Sequence, residues 1–273
     1  MSAGPRVTVL VPNYRTPALT RLCLRLLRKH TPRDAIAVTV VDNDSGDEST
    51  DYLRALRWIT LIERPKIEGE PPWLAHANAL DLAFDRVETP YVLSIHTDTL
   101  VRDPAWLDFL LAPLEGDPNI AGVGSWKLEV GERGWWRRAL KSVERRVQLA
   151  LLPLLGKGVG KVEGYGENYL YLRSHCALYR TDLLRAHGLR FAEGGLPAGK
   201  AMHRRLEQLG HRLVFLEAGA LGAHVLHVNN ATMVLNREFG GTSRFRDRGL
   251  RRIETALALV DAKSVLADEA LDA

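Results

Sequence analysis

The sequence predicts an α/β fold, a mostly parallel central sheet flanked by helices, in a single domain with a peripheral helical C-terminus. Three observations carry this. Short apolar runs rich in β-branched residues, at 7–11, 35–41, 59–63 and 91–95, have the pattern of strands buried on both faces. Between them apolar residues recur at three- and four-residue spacing, the period of a helix with one buried face. Strand, helix, strand alternation then requires parallel pairing through right-handed crossovers.

Taken in order, the run 7–11 stops at Pro12-Asn13-Tyr14, and a helix follows over 17–30, with Leu19, Leu22, Cys23, Leu26 and Leu27 on one face and arginines on the other. Strand 35–41 closes in an acidic, turn-rich stretch from Asp42 to Ser49, after which 50–56 reads as helix. Strand 59–63, helix 73–84 and strand 91–95 follow, the last running into His96-Thr97-Asp98-Thr99. Beyond it come a helix at 105–114, a strand at 121–126 and a basic, aromatic stretch at 135–161. Strand-like 169–179, a helix from Thr181, a long helix at 198–209, a strand at 212–216 and a last strand signal at 223–228 complete the pattern. The organisation expected is one domain over 1–232, with halves of about 1–130 and 131–232, and a helical extension over 233–273.

With 273 residues, 46% of them hydrophobic and 26% charged, the chain is long enough for a substantial core. Its two cysteines, Cys23 and Cys176, lie in apolar contexts, which points to a reducing compartment. No apolar run reaches the roughly 18 residues that span a bilayer, and the first one is strand length and stopped by a proline. The location expected is cytoplasmic, with room for peripheral attachment at the inner face of a membrane through 135–155, where tryptophans, arginines and leucines alternate. A packed amphipathic helix with a solvated basic face explains the same residues. Nucleic acid is not expected as a partner, because the net charge is only +4 and no reading motif accompanies the basic residues. A glycine fingerprint after the first strand is missing, and Gly156-Lys157-Gly158-Val159-Gly160-Lys161 lacks the spacing of a P-loop, which removes dinucleotide and nucleoside-triphosphatase chemistry.

Ligands of such sheets gather beyond the carboxyl ends of the strands, which brings Pro12 to Tyr14, Asp42 to Asp44 and His96 to Asp98 into one neighbourhood. Asp42 at a strand end could accept hydrogen bonds from a nucleobase or ribose; alternatively Asp42 and Asp44 cap the next helix or close Asx-turns. In an extended backbone, side chains 96 and 98 fall on one side and can grip one cation. A diphosphate leaving group needs such a hard divalent ion, and a histidine ligand suits manganese better than magnesium. His224 and His227 are three apart on a strand pattern, so at most one points into the site, and His227 is the better placed.

Together, the strand ending at Tyr14, Val41-Asp42-Asn43-Asp44-Ser45-Gly46-Asp47, Ser94-Ile95-His96-Thr97-Asp98-Thr99 and Asp103-Pro104-Ala105-Trp106-Leu107 resemble the large inverting glycosyltransferase family 2. Ala75-His76-Ala77-Asn78-Ala79, Ser174 to Arg180, Glu207 to Leu213 and His227-Val228-Asn229-Asn230 are similar to further family elements, so that the resemblance covers about 6–232. It implies the GT-A fold and transfer of a sugar from a nucleoside-diphosphate donor to a glycan, lipid-linked or small-molecule acceptor, assisted by Mn2+ or Mg2+. Carried over, it implies Pro12, Tyr14, Asp42, Asp44 and Asn78 at the nucleotide, and Asp98, His96 and His227 at the metal. His96 stands where the family has the first aspartate of its metal motif, and the family's acidic pair, which holds the catalytic base, aligns with Ala198-Gly199. Glu193 and His203 are the remaining candidates for the base. Three alternatives stay open: a retaining transferase, a relative that binds nucleotide sugar without turnover, and a nucleotidyltransferase, although Pro12-Asn13-Tyr14-Arg15 is not the glycine-rich loop of the last.

Overall fold

A computed structural model describes residues 4–128, 143–144, 146–152 and 162–273. The chain divides into two compact units, Gly131–Tyr171 and the remainder. The remainder is built on a seven-stranded sheet formed by β1 (Val7–Asn13), β2 (Ile36–Asp42), β3 (Ile59–Glu63), β4 (Tyr91–Ile95), β6 (Ile120–Gly124), β7 (Cys176–Arg180) and β8 (Arg212–Phe215). Their order is β3-β2-β1-β4-β7-β6-β8. β3, β2, β1 and β4 pair in parallel, as do β6 and β8, and β7 alone runs against both of its neighbours. A second, two-stranded antiparallel sheet joins β5 (Thr99–Val101) to β9 (Val225–His227).

Side-chain alternation along the strands builds a core on each face. On one side Val7, Val9 and Val11 of β1, Val38 and Val40 of β2, and Leu93 and Ile95 of β4 meet the leucines of α1 (Pro17–His30), Tyr52 and Leu53 of α2 (Glu48–Ala55), and Trp106, Leu110 and Leu114 of α4 (Trp106–Gly116). On the other, Leu10, Val41 and Val92 meet Ala77, Leu80, Ala83 and Phe84 of α3 (Pro72–Phe84), Leu184 of α5 (Thr181–Ala186), and Met202 and Leu206 of α6 (Lys200–Gln208). The expected GT-A-type layering is present, and β1, β2, β3 and β4 fall within two residues of their predicted limits.

Two stretches differ from the sequence reading. The strand expected over 169–179 starts only at Cys176, because Leu172 to His175 leave the ladder to make side-chain and loop contacts at the sheet's end. The strand expected over 223–228 is the short β9 in the small sheet, and Ala223 and His224 close a helix, α7 (Ala218–His224). The remaining helices are α8 (Ala231–Leu235), α9 (Ser243–Leu259) and α10 (Ala262–Ala267). The C-terminus is helical as expected, and its inner face is part of the core: Ile253, Ala256, Val260, Ala262 and Val265 are buried there. Arg25, buried in α1, holds it by a bidentate pair with Asp272, which also accepts from Tyr52 Oη at 2.7 Å. Arg25 is almost inaccessible to water while Asp272 is partly exposed, so removing Asp272 would leave a buried guanidinium without its counter-charge.

Within the smaller unit, 146–152 is helical and Gly166–Asn168 forms a 3-10 turn. Of the 135–155 stretch considered for membrane contact, 135–142, 145 and 153–155 lie outside the described residues. In the rest, Val143, Val147 and Leu151 are exposed at four-residue spacing, which puts them on one face. Among the described residues no helix is long and apolar enough to cross a membrane.

At the end of β6, the last strand but one of the sheet, Gly124 permits a close approach, since an added Cβ would lie 2.7 Å from the Cys176 carbonyl oxygen of the neighbouring strand. Gly124→Ala is therefore expected to destabilise the protein by about 1–3 kcal/mol, seen as a lower denaturant midpoint with an unchanged slope.

Candidate metal and nucleotide site

The loops at the carboxyl ends of β1, β2 and β4 converge, as the rule for such sheets requires. The β1 and β2 ends are tied by a buried polar cluster. Asn13, fully buried, donates to Asp42 Oδ1 at 2.6 Å, to Ser49 Oγ at 2.9 Å and to Ser45 Oγ at 3.2 Å. Asp42 also accepts from Ser45 Oγ at 2.5 Å, Thr50 Oγ1 at 2.9 Å and the Ser45 backbone N–H at 3.3 Å. Both carboxylate oxygens are thus committed within the protein, the outcome in which Asp42 orders the turn before α2. What the loop turns outward is Asp44, exposed and held at φ 57°, and the half-buried Asn43.

Asn78 donates to Glu70 Oε1 at 2.6 Å, and Glu70 receives Arg64 in a bidentate pair at 2.6 and 2.8 Å. Asn78 therefore braces the wall beside Asn43, whose side chain accepts from Arg64 at 3.4 Å. Pro12 is buried in β1. The Tyr14 hydroxyl donates to Glu238 at 2.6 Å, and burial together with that bond pushes its pKa up to about 12.

The second part of the site lies where β4 gives way to β5. His96, Asp98 and His227 each present a ligand atom, and these atoms lie within 4.8 Å of one another. The small sheet explains how: β9 pairs His227 with Thr99, and the Val228 N–H donates to the Asp98 carbonyl at 2.9 Å. Asp98 Oδ2 accepts from the Ala231 N–H at 3.2 Å, but buried Oδ1 accepts no hydrogen bond. It stands 3.3 Å from His227 Nε2 and 3.7 Å from His96 Nδ1. His227 Nδ1 faces the Leu128 carbonyl at 3.0 Å and so carries a proton, which turns Nε2 toward the carboxylate.

Burial pushes the Asp98 carboxyl up, but nearby His227 and His96 outweigh it and hold the group well below the usual carboxylate range. Burial, and next His76, push His96 far below the usual imidazole value. Two imidazole nitrogens and one carboxylate oxygen brought this close together form a donor set for a divalent transition metal. The residues fit such an ion.

Around this triad stand groups without an assigned role in the sequence reading. His175 stacks on His227 with centroids 4.5 Å apart and bonds Ser125 Oγ at 3.0 Å. His76 and His96 both reach Ser174 Oγ at 3.0 Å. The sequence signal for them was the resemblance of Ala75 to Ala79 and Ser174 to Arg180 to family elements, which carried no role for these residues. His224 turns away, bonding Asp103 at 2.8 Å, which leaves His227 as the inward member of the pair.

The two candidate bases differ. His203 is not on a surface: it is fully buried, its Nδ1 accepts from the Leu172 N–H at 3.3 Å, and burial lowers its pKa to about 4. Its one free lone pair is therefore already used. Glu193, in a 3-10 turn after β7 and α5, is half-buried and its Oε2 has no hydrogen-bond partner. Ala198 and Gly199 lie just before α6, with Gly199 at φ 76°.

The family model for glycosyl transferase family 2 matches residues 8–188. The chain belongs to that family. No curated protein matches it. Among solved structures, a mannosyltransferase from Pyrobaculum calidifontis in complex with GDP-Man and Mn2+ superposes with a TM-score of 0.53 at 21% identity, over 79% of this chain and 55% of that one. S. aureus TarS 1-349 gives 0.53 at 18% identity, over 90% and 70%. Glucosyl-3-phosphoglycerate synthase from Mycobacterium tuberculosis, in complex with Mn2+, UDP and phosphoglyceric acid, gives 0.53 at 20%, over 94% and 79%. The chain thus spans little more than half of the mannosyltransferase. The family 2 member described here has the GT-A fold that these structures share.

Two outcomes follow from the buried groups. Asp42→Ala strands Asn13, Ser45 and Thr50 and should cost on the order of 3 kcal/mol, measured by urea unfolding. For His203, the folded protein holds the neutral form down to about pH 4 while the unfolded chain protonates near 6.5. Its contribution is fully present above pH 6.5 and is lost as the pH falls toward 4. In His203→Gln the loss of stability between pH 7 and 4.5 should be smaller than in the parent protein.

Proposed function

We propose that this protein transfers a sugar from a UDP-, GDP- or dTDP-sugar to a hydroxyl-bearing acceptor, with a divalent metal held by His96, Asp98 and His227. The observation that carries this reading is Asp98 Oδ1, which accepts no hydrogen bond among the described residues, gathered with His227 Nε2 at 3.3 Å and His96 Nδ1 at 3.7 Å at the ligand edge of a GT-A sheet. Bound there, the metal would neutralise charge building on the leaving diphosphate. The presence of Mn2+ with GDP-Man or UDP in two of the solved relatives supports the same reading. The nitrogen-rich donor set favours Mn2+ over Mg2+.

The chain's own residues divide the work. Tyr14, Asn43 and Asp44 border the nucleoside pocket. Asp42 and Asn78 shape it from within, through Asn13, Ser45 and Thr50 on one side and Glu70 on the other. Glu193 is the proposed base: an unpaired carboxylate oxygen in the loop before α6 can take the acceptor's proton as the new bond forms, provided the acceptor brings its hydroxyl to about 3 Å. The exposed face of Val143, Val147 and Leu151 supports a membrane contact through 135–155, which would suit a lipid-linked acceptor.

A second reading is favoured by Ala198-Gly199 in place of acidic residues and by the locked His203: a family member that binds nucleotide sugar without turning it over. A donor panel separates the two. The expected result is release of nucleoside diphosphate from one donor, dependent on Mn2+ and abolished with metal-dependent nucleotide binding in Asp98→Ala. Glu193→Gln should lower kcat by about 100-fold or more with little change in donor KM. Nucleotide affinity unchanged in Asp98→Ala would overturn the metal assignment. Binding without release would favour the second reading.

A further inference from the structure

The hydroxyl of Ser174 lies 3.0 Å from Nε2 of both His76 and His96, whose rings meet edge to face with centroids 4.6 Å apart. A hydroxyl carries one proton and can donate to only one of them. The other imidazole must therefore donate its own Nε2–H to Ser174. The far side of His96 decides which. Its Nδ1 stands 3.7 Å from Asp98 Oδ1, and that buried oxygen accepts no hydrogen bond. A proton on Nδ1 facing an ionised carboxylate would draw the pair to about 2.7–2.9 Å. The separation and the unsatisfied oxygen both place the His96 proton on Nε2.

We infer that Ser174 and His76 are positioning residues that lock His96 in the Nε2–H tautomer, so that its Nδ1 lone pair points permanently at the metal site. The inference rests on the metal reading for its purpose, but not for its geometry. Donation runs from His96 Nε2–H to Ser174 Oγ, and the contact of the same hydroxyl with His76 Nε2 holds Ser174 beside His96. His227 is locked by a different device, its Nδ1–H on the Leu128 carbonyl. Each imidazole ligand then meets the ion through a fixed nitrogen, Nδ1 from one and Nε2 from the other, and neither has to shift a proton when the metal arrives. Partners of this kind around a ligand change metal affinity by about 10–100-fold. An aspartate in place of His96 would need no such partners, because both of its oxygens are acceptors.

The test uses the full chain, metal-free and labelled with 15N at its histidines, in a long-range 1H–15N correlation experiment. Comparison with His96→Gln assigns the His96 signals. The expected spectrum shows a protonated Nε2 and a bare Nδ1; a protonated Nδ1 overturns the inference. Calorimetric titration with Mn2+ alone follows. Ser174→Ala should weaken Mn2+ binding by about 10–100-fold, while Ser174→Thr, which keeps the hydroxyl, should stay within about threefold of the parent. Equal Mn2+ affinity in Ser174→Ala also overturns the inference. A bare Nδ1 in a protein that takes up no Mn2+ would uphold the tautomer lock and refute the metal reading, so the two fail separately.

Discussion

The commitment of one buried carboxylate underlies the geometry of the ligand edge. Asp42 ends β2 with a buried carboxyl group, and it is tolerated because Asn13, Ser45 and Thr50 satisfy both oxygens. In return the three donors are pulled into register, and the β1 loop, the β2 loop and the start of α2 become one piece. The network continues through Asn13 Oδ1 to Thr20 at 2.6 Å, from Thr20 to Thr16 at 3.3 Å, and from Thr16 to Thr97 at 3.1 Å. Thr97 lies between His96 and Asp98. A chain of buried side chains thus joins the turn after β2 to the His96-Thr97-Asp98 triplet.

The metal triad is organised on the opposite principle. Where Asp42 is saturated, Asp98 keeps one oxygen that accepts no hydrogen bond among the described residues, and burial holds the imidazoles of His76, His96 and His175 below their usual range. Stability alone would favour pairing that oxygen. A site left short of one positive charge and supplied with two nitrogen lone pairs is instead shaped for an incoming cation. The contrast between two aspartates at neighbouring strand ends, one closed and one open, separates the part of the edge that holds its shape from the part that holds a ligand.

Much of this was legible in the sequence. Buried strands announced themselves as β-branched runs, the helices by apolar spacing, and the ligand edge by polar triplets at strand ends. His96, Asp98 and His227 were identifiable because an extended backbone puts 96 and 98 on one side and because only one of His224 and His227 could face inward. The rest was hidden for physical reasons. Whether Asp42 meets a ligand or a serine depends on Asn13 and Thr50, which reach it only through folding. His203 looked like a polar residue on a helix, and nothing local shows that the Leu172 N–H requires its lone pair. Ser174 and His76 lie in different elements, and neither has meaning until β4 places His96 between them.

The small sheet also fixes an order of events in the making of the protein. Asp98 is synthesised well before the residues that complete its surroundings; Ala231, whose N–H it accepts, follows 133 positions later. A chain emerging from the ribosome can fold β1 to β4 while the Asp98 carboxylate still lacks β9 and every contact that β9 brings. Closing that long loop is a late step, and it is also the step that brings in His227. A nascent chain interrupted before β9 would hold the Asp42 cluster complete and the triad incomplete. Arrival of the last ligand therefore serves as a record that synthesis has passed the far side of the sheet.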